Sequence, residues 1–200
     1  MTASIEETIV VESASVWDAL REEAFPDYLT CCILATRAIV EVGHYFGVRV
    51  APVAVGVSAF NAEAWRLVEA RVPQSEWPEE AWSVGVEPRP DPGPSTPFSA
   101  HLIAETDSFL VDLSARQLGR PDRSIDVFGP LVLRKPPGFS WDRNEVALVT
   151  NATETTTVVY RRVRERNYRR APDWRRNYDR VASPLIRHVR EVVESPRRSS

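Results

Sequence analysis

The sequence predicts an α+β fold in which a cysteine-bearing helix packs on an antiparallel sheet. Three observations carry this. Between Cys31 and Phe46, apolar Ala35, Ile39, Val42 and Phe46 recur at helical spacing, so one face of a helix is buried. Directly after it comes VRVAPVAVGVSAF, whose β-branched residues suit a strand. Later, AHLIAE and SFLVDL form two short apolar segments around a polar turn, as in a β-hairpin.

The elements follow in order. Residues 3–25 are helical in part, with Val16, Trp17 and Leu20 as apolar anchors and Pro26 as the stop. Thr30 suits the N-cap of the cysteine helix and Gly47 its C-terminal stop. A strand is expected from Val48 to Phe60, with Pro52 marking an edge or a bulge. Residues 62–71 read as a short helix. EPRPDPGPSTP (87–97) holds Pro88, Pro90, Pro92, Pro94 and Pro97, which excludes a helix or central strand and predicts an extended surface loop within the domain. A second hairpin is expected from 144–150 and 155–162, with its turn near Asn151-Ala152-Thr153. In the last helical stretch Leu185, Ile186, Val189, Val192 and Val193 form an apolar stripe, opposite Arg187 and Arg190.

The 200 residues suit a core domain over 1–159 with an appended, partly helical, arginine-rich segment over 160–200. The formal net charge of −3 hides a strong asymmetry. Residues 160–200 carry 13 Arg against 5 acidic groups, and residues 1–159 carry 12 basic against 23 acidic groups. Lys135 is the only lysine. The basic segment therefore either pairs with the acidic body or offers a surface to an anionic partner, such as nucleic acid. Tyr160, Tyr168, Trp174 and Tyr178 stand among its arginines, an arrangement that suits cation–π packing as well as nucleic acid. No helix-turn-helix, zinc-finger or RNP pattern accompanies them.

Composition excludes several classes. A hydrophobic content of 43% argues against disorder throughout, and 8 Gly without a period exclude collagen. The most apolar stretch is broken by Arg37, Glu41 and His44, so no membrane span is expected. The acidic start MTASIEETIVVES lacks a basic n-region, so no signal peptide is expected. Two adjacent cysteines, Cys31 and Cys32, make a strained disulfide and suit reduced thiols in a reducing, cytoplasmic compartment. With three scattered His they give no zinc spacing, and no phosphate-binding or dinucleotide glycine pattern occurs. No metal or cofactor is expected. Asp91, Asp107 and Asp122 fall in predicted turns, and no carboxylate pair stands out as a glycosidase site.

One constellation carries chemistry. With Thr30 as cap, Cys32 lies in the first helical turn, where free backbone amides stabilise a thiolate and can bind a developing oxyanion. Two small core hydrophobes would account for the same cysteines. His44 lies 12 residues along the same helix, or about 18 Å, which is out of reach. His188 stays open as a base. His101 begins a predicted strand. If Thr106-Asp107 are the hairpin's turn residues, His101 pairs with Asp112 on the same face, with Leu102, Ala104, Phe109, Val111 and Leu113 on the other. A carboxylate beside an imidazole fixes its tautomer and orientation. An ordinary cross-strand ion pair would have the same pattern.

The order helix-terminal Cys, strand His, next-strand Asp resembles the transglutaminase-like and papain-like cysteine enzymes. The carrying segments are CCILATRAIVEVGHYFGVRVAPVAV (31–55) and SAHLIAETDSFLVDLSARQLGRP (99–121). The resemblance covers residues 28–125 and implies Cys32 as nucleophile, His101 as base and Asp112 as the residue orienting it. Cys32 fits the helix start better than Cys31. Gln117 matches the polar residue that often follows the Asp segment. The chain departs from the pattern in having His-Leu-Ile rather than an aromatic after the histidine. It also has no Gly just before the cysteine pair and no upstream Gln for a papain-type oxyanion hole. The implied activity is acyl transfer on a peptide, amide or other acyl substrate, most simply as a cysteine peptidase or amidohydrolase. Alternatives are transfer to an amine or other acceptor on the same fold, or a non-catalytic module that binds nucleic acid or a partner through its arginines.

Overall fold

A computed structural model describes residues 3–25, 32–89, 97–141, 148–153, 155–176 and 178–195. The fold is α+β. Its sheet is antiparallel and holds β1 (Ala51–Asn61), β2 (Ser83–Val86), β3 (His101–Glu105), β4 (Phe109–Asp112), β5 (Leu131–Arg134), β6 (Leu148–Thr153) and β7 (Thr156–Arg162). The strand order is β5-β4-β3-β1-β7-β6, with β2 paired to β1 beyond the end of β3. The helices are α1 (Ile5–Ala24), α2 (Cys32–Tyr45), α3 (Ala62–Glu69), α4 (Pro172–Arg175) and α5 (Asp179–Glu194).

Helix α1 is continuous rather than partly helical. Ser4 caps it by accepting from the Glu7 amide at 3.1 Å, and Ile9, Val10, Ser13 and Trp17 are its buried face. The α2 cap position, Thr30, lies outside the described residues. At the other end, the Val48 amide bonds to Gly43 O and the Gly47 amide to His44 O, with Gly47 at φ +68°. This Schellman closure explains why the strand begins at Ala51 and not at Val48, since Val48 is still finishing the helix. It also folds the chain back onto Gly43. A Cβ there would lie 2.2 Å from Val50 Cγ2 and 2.9 Å from Val48 O. Gly43→Ala is therefore expected to lose about 1–3 kcal/mol through overpacking. An unchanged urea midpoint would contradict that close approach.

One layer of core joins the helices to the sheet. It contains Ile9, Val10 and Trp17 of α1, Leu34, Ala35, Ala38, Ile39 and Val42 of α2, and Ala104, Phe109 and Val111 of β3 and β4. Val181, Ala182, Leu185 and Val189 of α5 complete it, whereas Val192 and Val193 of the expected stripe stay largely exposed. A second apolar cluster combines Val53, Val55 and Val57 of β1 with Ile103, Leu110, Leu118, Ile125, Trp141 and Tyr160. The arginine-rich segment enters the body at three places among the described residues: β7 runs across residue 160 beside β1, Tyr168 is buried in a cluster with Ala54, Ala100 and Leu102, and α5 belongs to the helical layer.

Several boundaries differ from expectation. Helix α3 stops at Glu69 because Arg71 adopts φ +58° and Val72 bonds back to Leu67 O. Pro52 lies where β1 pairs with β3 alone, since β7 reaches only to Val55, so its missing N–H disturbs one ladder at most. Of the proline-rich stretch, 87–89 and 97 form neither helix nor strand, and 90–96 lie outside the described residues. In the second hairpin β6 continues to Thr153, through the expected turn and three residues past the expected strand end at 150, and a register irregularity lies between Asn151 and Thr153. Strands β2 and β5 had no counterpart in the sequence reading.

Candidate functional site

The register of the β3–β4 hairpin sets the site. Ala104 pairs with Val111 and Glu105 with Leu110, so the turn residues are Asp107-Ser108, not Thr106-Asp107. The pairing is thus shifted by two residues from the expected one. A two-residue shift preserves the side-chain face, so His101 and Asp112 are diagonal rather than direct neighbours. The turn is fixed from outside. Glu6 of α1 accepts from the Ser108 amide at 2.7 Å, the Ser108 hydroxyl at 3.0 Å and the Thr106 hydroxyl.

His101 is 1% exposed and Asp112 2%. His101 Nε2 lies 2.8 Å from Asp112 Oδ2, which also accepts from the Tyr160 hydroxyl at 2.9 Å. Asp112 Oδ1 accepts from the Ser114 amide and the Ser114 hydroxyl, both at 3.0 Å. Every lone-pair direction of this buried carboxylate is therefore occupied, as a charge removed from water requires. Burial alone would raise its pKa. The facing imidazole and the bonds from His101, Tyr160 and Ser114 reverse that, so Asp112 is held below its usual 3.8.

His101 shows the complementary balance. Burial pushes its pKa down, but the Asp112 charge and hydrogen bond outweigh burial and, with Cys32 alongside, push it up to about 10. Tyr160 is raised well above its usual 10 by burial and by Asp112, which keeps it a donor. The pair is thus an imidazolium and a carboxylate near neutral pH.

The second ring nitrogen, Nδ1, faces Gln117, whose Nε2 lies 3.2 Å away. The Cys32 side chain lies beside the same ring and helps to raise its pKa. A neutral ring accepts at Nδ1 and takes the amide nitrogen of Gln117, whereas a protonated ring donates there and takes the amide oxygen. Gln117 serves both by turning its amide over.

Cys32 is the first residue of α2, a partly buried free thiol. It packs on Ala54, Ala100, Leu102 and Tyr168. The Thr36 hydroxyl, one turn further along α2, bonds to Leu102 O at 2.9 Å and fastens the helix to β3 next to His101. Cys31 lies outside the described residues. His44 is exposed, and His188 pairs with Glu12 at 3.1 Å, so neither joins the cluster. Asp107 sits in the hairpin turn, Asp122 is exposed beside Arg123, and Asp91 lies outside the described residues.

Sequence reasoning did not assign Tyr160 or Ser114, and it left Gln117 without a role. Strand alternation in TTVVYRR puts Tyr160 with Val158 on the inner face, and a Ser two residues after an Asp is a common turn donor. Both signals were present in the sequence.

Among the described residues no group of three or more His, Cys, Asp or Glu is arranged to hold a metal ion. No helix among them is long and apolar enough to cross a membrane. No protein-family model, curated protein or solved structure matches the chain significantly.

Proposed function

We propose that the chain is a thiol-dependent acyl-transfer enzyme, of the cysteine peptidase or amidohydrolase kind, with Cys32 as nucleophile, His101 as proton carrier and Asp112 as the residue that orients it. The observation that supports this most is the buried imidazole held by a saturated carboxylate on one nitrogen, with a helix-terminal thiol beside the ring. The order of these residues resembles that of transglutaminase-like and papain-like enzymes. Hydrolysis is the simpler outcome, because water needs no second site. A free thiol at the centre suits a reducing compartment such as the cytoplasm.

The chemistry follows from the charge state. With Asp112 ionised, His101 holds a proton at Nε2 and takes the thiol proton at Nδ1 before substrate arrives. The sulfur attacks the substrate carbonyl carbon, forming a C–S bond and a tetrahedral oxyanion, which the first-turn amides of α2 stabilise. Collapse breaks the carbon–nitrogen bond, and the departing amine takes the Nδ1 proton. Water then attacks the thioester, gives a proton back to Nδ1, and releases the acid and the thiol.

Alkylation by iodoacetamide near neutral pH, located by peptide mass spectrometry, tests this. Cys32 is expected to react about tenfold or more faster in the wild type than in His101→Gln, with both proteins folded by circular dichroism. Equal rates in two folded proteins, or modification confined to Cys31, would remove the enzyme reading.

A further inference from the structure

A cavity of about 750 Å³ shares part of its wall with the apolar cluster that holds the thiol. Its lining includes Ala54 and Tyr168 of that cluster, against which Cys32 packs, and Val163, which packs against the same cluster. The rest of its character is cationic. Arg162, Arg164, Arg166 and Arg169 all line it. Among the described residues none of these four guanidiniums forms an ion pair.

The only acid in the lining among the described residues, Glu165, is 4% exposed and turned to other work. It accepts from the Ser99 amide at 3.2 Å and the Ser99 hydroxyl at 3.3 Å. Trp141 also lines the cavity and is 9% exposed. Four arginines around one cavity want oxygen acceptors carrying negative charge.

From this we infer that the cavity binds an acidic segment of a peptide whose neighbouring amide is delivered to Cys32. The assignment rests on the acyl-transfer reading above for the amide, and on the cavity alone for the acidic segment. A peptide joins both requirements in one chain, whereas a nucleic acid supplies the charge without an acyl carbon at the thiol. The volume is in the range of ligand sites, about 300–1,000 Å³.

The test is binding, so it does not need a working thiol. Full-length Cys32→Ser protein is titrated against fluorescein-labelled oligoglutamate, oligoglutamine of the same length, and oligothymidylate of equal charge, by fluorescence anisotropy at low and moderate salt. Oligoglutamate is expected to bind at least about tenfold more tightly than oligoglutamine and to weaken as salt rises. Arg164→Gln with Arg166→Gln, both exposed positions, is expected to lose about tenfold in that affinity with an unchanged melting temperature. Equal affinity for the two peptides, or no effect of the arginine changes, overturns the site whatever the alkylation of Cys32 shows. Tighter binding of oligothymidylate overturns the peptide assignment.

Discussion

Asp112→Ala is expected to cost about 3–5 kcal/mol of folding stability, read as a lowered urea midpoint near neutral pH. Removing one partner of a buried ion pair leaves the other charged and unpaired, and that penalty dominates. Here the damage spreads further, because the Tyr160 hydroxyl and the Ser114 amide and hydroxyl all lose their acceptor together. Each is enclosed in the sheet and has little access to water. Asp112→Asn separates charge from shape. Its amide oxygen still accepts from one side, but its NH₂ opposes donors that need an acceptor. The Asn variant is expected to fall between wild type and Ala. A loss below about 1 kcal/mol for Asp112→Ala, the range of an exposed ion pair, would mean that His101 and Asp112 are not enclosed together.

The parts of this fold that could be read from the sequence are those whose cause is local. Gly47 ends α2 because the left-handed conformation there suits glycine, and the apolar period of α2 selects its buried face. The His101–Asp112 relation was legible because strand parity survives a shift of two residues. The turn itself was not. Thr106-Asp107 and Asp107-Ser108 are equally plausible turn pairs as sequence, and Glu6, about a hundred residues earlier, decides between them by gripping Ser108. Such a contact has no local signature.

The short strands failed for a different reason. β2 and β5 have four residues each and are mostly half-buried, too few for alternation to show. The arginine-rich stretch was legible as charge but not as a place. Composition left open whether it pairs with the acidic body, and only the long-range pairing of β7 with β1 brings Arg162 and its neighbours beside Pro52 and Ala54. Tyr160 is the instructive residue of that strand. Counted among the aromatics between arginines, it resembled a surface stacking platform. Its strand phase turns it inward, where the hydroxyl is a buried donor to Asp112.

Stability is expected to be greatest between about pH 4 and 6.5 and to fall as pH rises toward 10, by several kcal/mol at about 1.4 kcal/mol for each tenfold in acidity. His101 has its pKa raised from 6.5 to about 10 on folding, so its contribution is complete below 6.5 and disappears as pH rises through 10. Asp112 has its pKa lowered from 3.8, so its contribution is complete above 3.8 and disappears as pH falls through the folded value. Neither is independent, since each is the other's main charged partner, and the window belongs to the pair. Tyr160 stays neutral throughout, because its own pKa is raised. The measurement is the urea midpoint against pH in a Cys32→Ser background, which removes the sulfur next to the ring. Subtracting the curve for the same protein with His101→Gln and Asp112→Asn removes the exposed carboxylates and arginines common to both. The difference curve should descend steadily between pH 6.5 and 10. A level difference over that range would show that the imidazole is not held charged by Asp112.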